Sequence, residues 1–367
     1  MPVISDKLKE LLANEHPEPV RGAIAEGRKS SADLALLLSP GADSCLEEMA
    51  VAARAASLRN FGRTIGLYMP LYLSNHCSGR CPYCGFRRDA KIPRASLSLE
   101  EIVEECRVIA SSGMRHVLLV SGDAPSDVDV DYLAQAITHL KTFMSHVSIE
   151  VAALSTEHYL ELASAGLDGV TLYQETYDHE IYRQLHDGGP KEDFEHRLST
   201  LDRAGAAGIH TLTLGALWGL APWRQEALML GLHAFELQKK WWRSRIQLGM
   251  PRLKHVPDDF VINNPIDDRT LTHILVAMRL FIEEMGLALS TREPPKLRDA
   301  LISLGVTQMS AGSSTRPGGY SGDDSLGDQF EVVDLRSPAQ VARVLKDRGY
   351  DPVWKDWDEG FGHGGTG

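Results

Sequence analysis

Three cysteines within eight residues, Cys77-Ser-Gly-Arg-Cys81-Pro-Tyr-Cys84, are the side chains whose spacing is most plainly chemical. Thiolates at C-x3-C-x2-C, with no fourth cysteine nearby, can hold three irons of a cubane [4Fe–4S] cluster and leave the fourth iron open to a ligand. Such clusters normally take four thiolates, so the missing one points to a cluster that does chemistry. Gly79 and Pro82 break regular structure and let three sulfurs converge. The alternative is a structural zinc site with His76 or a distant histidine as fourth ligand. Zinc loops usually arrive as paired C-x2-C halves, and there is no second half in this sequence.

The elements that must position this loop can be read around it. It follows an apolar run, Ile65 to Leu73, that predicts a strand. From residue 65 onward short apolar or β-branched runs recur, at 65–74, 116–121, 147–152, 169–174, 211–217, 245–250, 287–291 and 307–311. Amphipathic helices separate them. Residues 268–284 are the clearest, with Leu271, Ile274, Leu275, Met278, Phe281 and Ile282 on one stripe. Eight β-then-α units in about 250 residues predict an α/β fold of the parallel (β/α)8, TIM-barrel type. An open doubly wound sheet is the alternative, disfavoured because no Gly-x-Gly-x-x-Gly follows any strand.

The expected organisation is a helical extension over 1–64, the barrel over 65–312, and a C-terminal extension over 313–367 that packs on the barrel. The extension's clearest helix runs from about Leu46 to Arg59. Residues 312–330 read as a loop over a barrel mouth, and the final Gly-His-Gly-Gly-Thr-Gly as a frayed end. Cys106 falls on the apolar face of a helix opened by the capping box Ser98-x-x-Glu101, and Cys45 follows Ser44 at a helix start. Both read as buried structural thiols.

Composition narrows the function classes. The 367 residues are 43% hydrophobic and 24% charged, as in ordinary globular proteins. A formal charge of −12 argues against a nucleic-acid partner. The charged first residues lack a signal core, and no apolar stretch approaches the roughly 20 residues of a membrane helix. A cytoplasmic protein with no membrane association is expected. Five cysteines, three of them in one loop, do not describe a disulfide framework.

In a barrel, functional groups collect at the carboxyl ends of the strands. Strand one runs into the cysteine loop, and strand two ends Val120-Ser121-Gly122-Asp123. Strand four ends Tyr173-Gln174-Glu175-Thr176, strand seven Ser290-Thr291-Arg292, and strand eight reaches Ser310. Five strand ends therefore converge on one mouth.

With Gly85-Phe86 after its last cysteine, the loop resembles that of the radical S-adenosylmethionine (SAM) enzymes. Within that superfamily the whole chain resembles the 2-iminoacetate synthases, the tyrosine lyases of thiamin thiazole synthesis. The resemblance starts at Pro70-Leu71-Tyr72-Leu73-Ser74-Asn75 and continues through Gly169-Val170-Thr171-Leu172-Tyr173-Gln174-Glu175-Thr176-Tyr177 and Leu214-Gly215-Ala216-Leu217. It goes on in Pro251-Arg252-Leu253, Ser290-Thr291-Arg292-Glu293 and Pro317-Gly318-Gly319-Tyr320, and closes at Pro352-Val353-Trp354-Lys355-Asp356-Trp357-Asp358.

This resemblance implies roles for particular residues. Cys77, Cys81 and Cys84 would ligate the cluster, and Phe86 would lie beside the bound cofactor. Gly122 and Asp123 occupy the second-strand element that holds the methionine ammonium of SAM, although Asp123 stands where related enzymes commonly have Glu. Glu175 would accept hydrogen bonds from the ribose or the ammonium. Arg197 would pair with the methionine carboxylate, or alternatively with Asp193 one helical turn away. Arg292 would clamp the carboxylate of a free amino acid, with Glu293 as its alternative partner. Ser310 and Tyr72 would border the same substrate or belong to the barrel core, and Arg252 is a further cation at the mouth.

The implied reaction is cleavage of the Cα–Cβ bond of L-tyrosine to 2-iminoacetate (dehydroglycine) and p-cresol, with 5′-deoxyadenosine and methionine as co-products. It implies a flavodoxin- or ferredoxin-type electron donor, and a thiazole synthase as candidate partner for the unstable imine. Three alternatives stand beside it. A related lyase acts on tryptophan, though the Trp354-Lys355-Asp356-Trp357 tail favours tyrosine. A related maturase uses a second, C-terminal cluster, for which no cysteine occurs after Cys106. From another class, the chain could be a non-catalytic iron–sulfur or zinc-binding protein.

Overall fold

The structure, a computed structural model, describes residues 4–254, 256–322 and 326–355. Eight parallel strands close on themselves. They are β1 (Thr64–Ser74), β2 (His116–Ser121), β3 (His146–Glu150), β4 (Gly169–Glu175), β5 (Thr211–Ala216), β6 (Arg245–Gly249), β7 (Gly286–Leu289) and β8 (Gln308–Ser310). Each pairs with the next, and β1 pairs with both β2 and β8, so no edge is left between them. The fold is the expected (β/α)8 barrel, with strand bounds within two residues of those read from the sequence.

Burial explains why these runs become strands. Every residue of β2, β5 and β7 is buried, because helices cover one side and packed side chains fill the other. The outer ring includes the capped helix Leu99–Ser111, with Cys106 facing the core, and the helix Asp268–Phe281. The latter ends three residues before the predicted 284, because residues 282–285 must turn back into β7. Four N-terminal helices, Asp6–Leu12, Pro17–Ala25, Ser31–Leu37 and Leu46–Phe61, form an extra layer. They pack chiefly against Asp268–Phe281, and also against the turn Ile302–Leu304 and the helix Trp223–Lys240.

After β8 the chain crosses the mouth as a loop before the helix Pro338–Asp347 covers the last unit. That loop is tied down where it crosses. Gln329 O accepts from Gly85 N (3.1 Å), the Tyr320 hydroxyl donates to Pro70 O (2.6 Å), and buried Asp334 pairs with Arg298. A ninth strand, β9 (Asp351–Val353), pairs with Thr64–Gly66 at the start of β1. Trp354 thus lies at the end of the barrel opposite the mouth, and Asp356, Trp357 and the final glycine-rich residues fall outside the described residues.

Candidate active site

Two irregularities in the barrel build the site. The β1–β2 register shifts between Tyr72 and Ser74, and the β4–β5 register shifts between Tyr173 and Glu175. The first frees the chain to leave β1 as the cysteine loop. Asn75 clamps the loop's base, bonding Pro93 O and both backbone groups of Ala95. The Arg94 guanidinium reaches back to the carbonyls of Asn75, Phe86 (3.0 Å) and Arg87 (2.6 Å). Ser78 donates from its backbone (3.1 Å) and its hydroxyl (2.6 Å) to Asp123 O, fastening the loop to the end of β2. Gly122 is required at that junction. A Cβ there would collide with the His76 carbonyl and stand 3.0 Å from Cys77 Cβ.

The three thiols converge. A Cβ on Gly79 would lie 3.6 Å from both Cys77 Sγ and Cys81 Sγ, and Phe86 N donates to Cys84 Sγ at 3.4 Å. Together they line an open cavity whose wall also includes Phe86, Gly122, Asp123, Glu175 and Arg197. Burial pushes all three thiols up, Cys84 to about 12. Converging buried thiols become thiolates when a cation neutralises them, and the donor set therefore fits an iron–sulfur cluster. The zinc alternative fits less well. His76, the nearest candidate for a fourth ligand, faces Asp127 at 3.7 Å.

The second irregularity aims Glu175 into the same cavity. Its φ of 70° is the only positive value outside glycine among the described residues, a conformation that costs of order 1–3 kcal/mol and collects at functional sites. The carboxylate pairs with Lys191 Nζ at 2.5 Å and Arg197 at 3.4 Å. Arg197 also donates to Tyr173 O (2.9 Å) and stands 3.7 Å from Asp123. Burial alone would raise the Glu175 carboxyl, but Lys191 and Arg197 outweigh it and hold it below the usual range. Burial likewise opposes the Arg197 charge, and Asp123 and Glu175 overcome it. The Arg197–Asp193 alternative is thus not the arrangement seen.

Tyr72, Arg292 and Ser310 stand beside this cavity rather than in its wall. The Tyr72 hydroxyl donates to Gln329 Oε1 at 2.7 Å, its ring meets the buried Phe86 edge-on at 5.8 Å, and Gln329 itself lines the cavity. The Arg292 guanidinium lies 3.3 Å over the Phe330 ring, which supports its face and leaves its N–H edges for a ligand. Glu293 is taken by Arg252 and by Lys254 (2.9 Å), so Arg292 and Glu293 are not a pair. Arg252, buried and bound also to Asp268 at 2.7 Å, is structural. Ser310 Oγ accepts from Thr291 N (3.0 Å) and so fixes the strand end that carries Arg292.

The sequence reading missed Lys191, Gln329, Phe330 and Glu150. Glu150 closes β3, lines the cavity, and is pushed up to about 7 by burial. The strand-end rule that selected Glu175 could have found it. Lys191 arrives by a Gly188-Gly189-Pro190 turn 16 residues after Glu175, and Gln329 from a mouth loop, and no spacing pattern marks either.

Residues 71–222 match the radical SAM superfamily, and residues 249–351 match the biotin and thiamin synthesis associated domain. The 2-iminoacetate synthase of Salmonella typhimurium is 41% identical over 344 residues, covering 94% of this chain and 91% of the relative. The Escherichia coli 2-iminoacetate synthase is 40% identical over the same span. Among solved structures, the hydrogenase maturase HydG from Carboxydothermus hydrogenoformans superposes with a TM-score of 0.83 at 33% identity, covering 95% of this chain and 80% of that one.

Proposed function

The chain belongs to the 2-iminoacetate synthase family of radical SAM enzymes, and we propose that it is a lyase splitting the Cα–Cβ bond of L-tyrosine into 2-iminoacetate and p-cresol for thiamin thiazole synthesis. The observation that carries this reading is the single cavity joining three cysteines to an acid–base network, with an aromatic-supported arginine at its side.

Cys77, Cys81 and Cys84 would hold a [4Fe–4S] cluster, and Gly122, Asp123, Glu175 and Arg197 would hold SAM beside it. When bound, this pair would supply a 5′-deoxyadenosyl radical, the hydrogen-abstracting chemistry that cleavage of the tyrosine Cα–Cβ bond needs. The chain's own residues bind, orient and exclude water. Arg197, charged and fixed by Tyr173 O, would pair with the methionine carboxylate. Lys191 keeps Glu175 ionised as a hydrogen-bond acceptor.

Arg292 would fix the tyrosine carboxylate, so that a reactive radical meets one bond and not its neighbours. Phe86, Tyr72 and the mouth loop through Gln329 close the cavity against water, which suits a product imine that hydrolyses readily. A flavodoxin- or ferredoxin-type protein would supply the electron, and a thiazole synthase is the candidate receiver of the imine. Among the described residues no helix is long and apolar enough to cross a membrane.

The deciding test is substrate competition. Anaerobically reconstituted enzyme given SAM, reductant and equal tyrosine and tryptophan is expected to release p-cresol and leave tryptophan intact. Consumption of tryptophan with formation of an indolic acid would move the chain to the related tryptophan lyases.

A further inference from the structure

We infer that Glu150 is the base that receives a proton from the substrate ammonium before the radical step, an inference that rests on the tyrosine reading above.

Glu150 is the last residue of β3, opposite Val120 at the end of β2, and it lines the cysteine cavity. Two residues earlier on the same strand, Ser148 belongs to the polar barrel interior with Tyr68, His116 and Tyr173. Glu150 therefore stands at the floor of the cavity.

Glu150 also lacks a partner. Glu175 is held by Lys191 and Arg197, Asp123 by Arg197, and Glu293 by Arg252 and Lys254. Among the described residues, Glu150 is the one cavity-lining carboxylate with no side-chain hydrogen bond or ion pair. An unpaired carboxylate inside a barrel is a site for an incoming cation.

The substrate ammonium is that cation. Arg292 is the strongest opposing charge acting on Glu150. When Arg292 holds the substrate carboxylate, the ammonium sits on the adjacent carbon, while the phenol is at the far end of the molecule. Glu150, near enough to Arg292 to feel its charge, therefore meets the ammonium. Hydrogen abstraction from nitrogen requires the neutral amine, because an ammonium has no lone pair to stabilise the nitrogen radical. In the step assigned to Glu150, one ammonium N–H bond breaks heterolytically, its electrons stay on nitrogen, and the proton forms an O–H bond on the carboxylate.

The surroundings tune the group for this. Burial raises the Glu150 carboxyl to about 7 and Glu175 adds to that, while Arg292, Arg197 and Lys191 oppose it. Tyr68, Tyr72 and Tyr173 face Glu150 and are themselves pushed up by burial, so they stay protonated through the neutral range.

The test uses reconstituted holoenzyme with SAM and no reductant, so that binding is read without turnover. Calorimetric titration compares L-tyrosine with 3-(4-hydroxyphenyl)propanoate, which lacks the amine, at pH 6 and pH 8. Wild type is expected to prefer tyrosine by about tenfold or more at pH 8, with the margin shrinking at pH 6. Glu150→Gln should bind both compounds alike at both pH values and keep its SAM affinity. After reduction its kcat should fall by about 10²-fold or more, and the acid limb of the kcat/KM profile should vanish. Glu150→Asp should recover part of the preference. A Glu150→Gln enzyme with wild-type kcat and an intact acid limb would overturn the assignment. So would equal wild-type binding of tyrosine and the amine-free analogue, a comparison that stands even if the variant does not fold. Wild-type holoenzyme that binds neither compound would instead overturn the tyrosine reading, and the role of Glu150 with it.

Discussion

The Tyr72 hydroxyl donates to Gln329 Oε1 at 2.7 Å, while Gln329 Nε2 lies 4.0 Å from Cys84 Sγ. One side chain of the mouth loop thus spans from the first barrel strand to a thiol of the cysteine loop. Gln329→Leu should leave the buried Tyr72 hydroxyl unsatisfied, at a cost of about 1–3 kcal/mol. The variant should also melt earlier and release less p-cresol per deoxyadenosine, because the cavity is less well sealed. Wild-type melting together with wild-type coupling would remove Gln329 from the account.

Gly122 tests the junction between β2 and the cysteine loop. A methyl group there must displace the His76 carbonyl or Cys77, both backbone-anchored neighbours. Gly122→Ala should therefore assemble far less cluster, read as lost absorbance near the visible iron–sulfur bands, with circular dichroism unchanged. Gly62, beside which nothing lies within 4 Å, is the control for a change without a clash, although its φ of 60° adds strain of its own.

Arg292 is expected to control substrate affinity. Arg292→Ala should raise the KM for tyrosine by about 10²-fold, the loss of a charge-assisted pair worth about 1.5–3 kcal/mol. Arg292→Lys should recover little, since an ammonium cannot reproduce the planar fork over Phe330. Deoxyadenosine formation without tyrosine should persist in both. Unchanged saturation by tyrosine in Arg292→Ala would discard the clamp.

Stability should depend on pH through buried groups. Burial lowers His186 to about 3 and His233 to about 4, each ring bonded to a tyrosine hydroxyl, at 2.7 Å from Tyr83 and 2.8 Å from Tyr177. The unfolded chain takes up these protons near pH 6.5, so this stability is present above that value and lost as pH falls. Burial raises Glu150 and Glu226 to about 7, and their contribution runs the other way, present below about pH 4.5 and lost as pH rises through 7. The two effects oppose each other between about pH 4.5 and 6.5. Below that only the histidine slope remains, joined by the carboxylate of Glu175. Burial lowers His146 and His273 as well, so urea midpoints of cluster-free protein should fall as pH drops below 6.5, and more steeply below 4.5 where the two carboxyls no longer oppose the histidines. A His186→Gln, His233→Gln double variant should flatten that fall.

Much of this architecture was legible in the chain because its signals are local. Alternating apolar runs and helix caps such as Ser98-x-x-Glu101 fix elements without reference to distant residues, and the cysteine spacing fixes the loop chemistry. Strand-end placement brought Gly122, Asp123 and Glu175 to one cavity with the cysteines. The hidden parts depend on backbone detours and long-range contacts. Lys191 reaches Glu175 only through a turn at Gly188 and Gly189, both with positive φ, and Gln329 meets Tyr72 across 257 positions. The Arg197 choice between Asp193 and the cavity was likewise decided by the β4 bulge that offers it Tyr173 O.

The central claim is that these three cysteines arm a cluster that breaks tyrosine. The measurement that tests it most directly is anaerobic incubation of iron- and sulfide-reconstituted protein with tyrosine, SAM and a strong reductant, beside Cys81→Ala. Wild type should yield p-cresol and 5′-deoxyadenosine together, and Cys81→Ala neither, with its fold intact. Deoxyadenosine or p-cresol from Cys81→Ala, or none from fully reconstituted wild type, would contradict it.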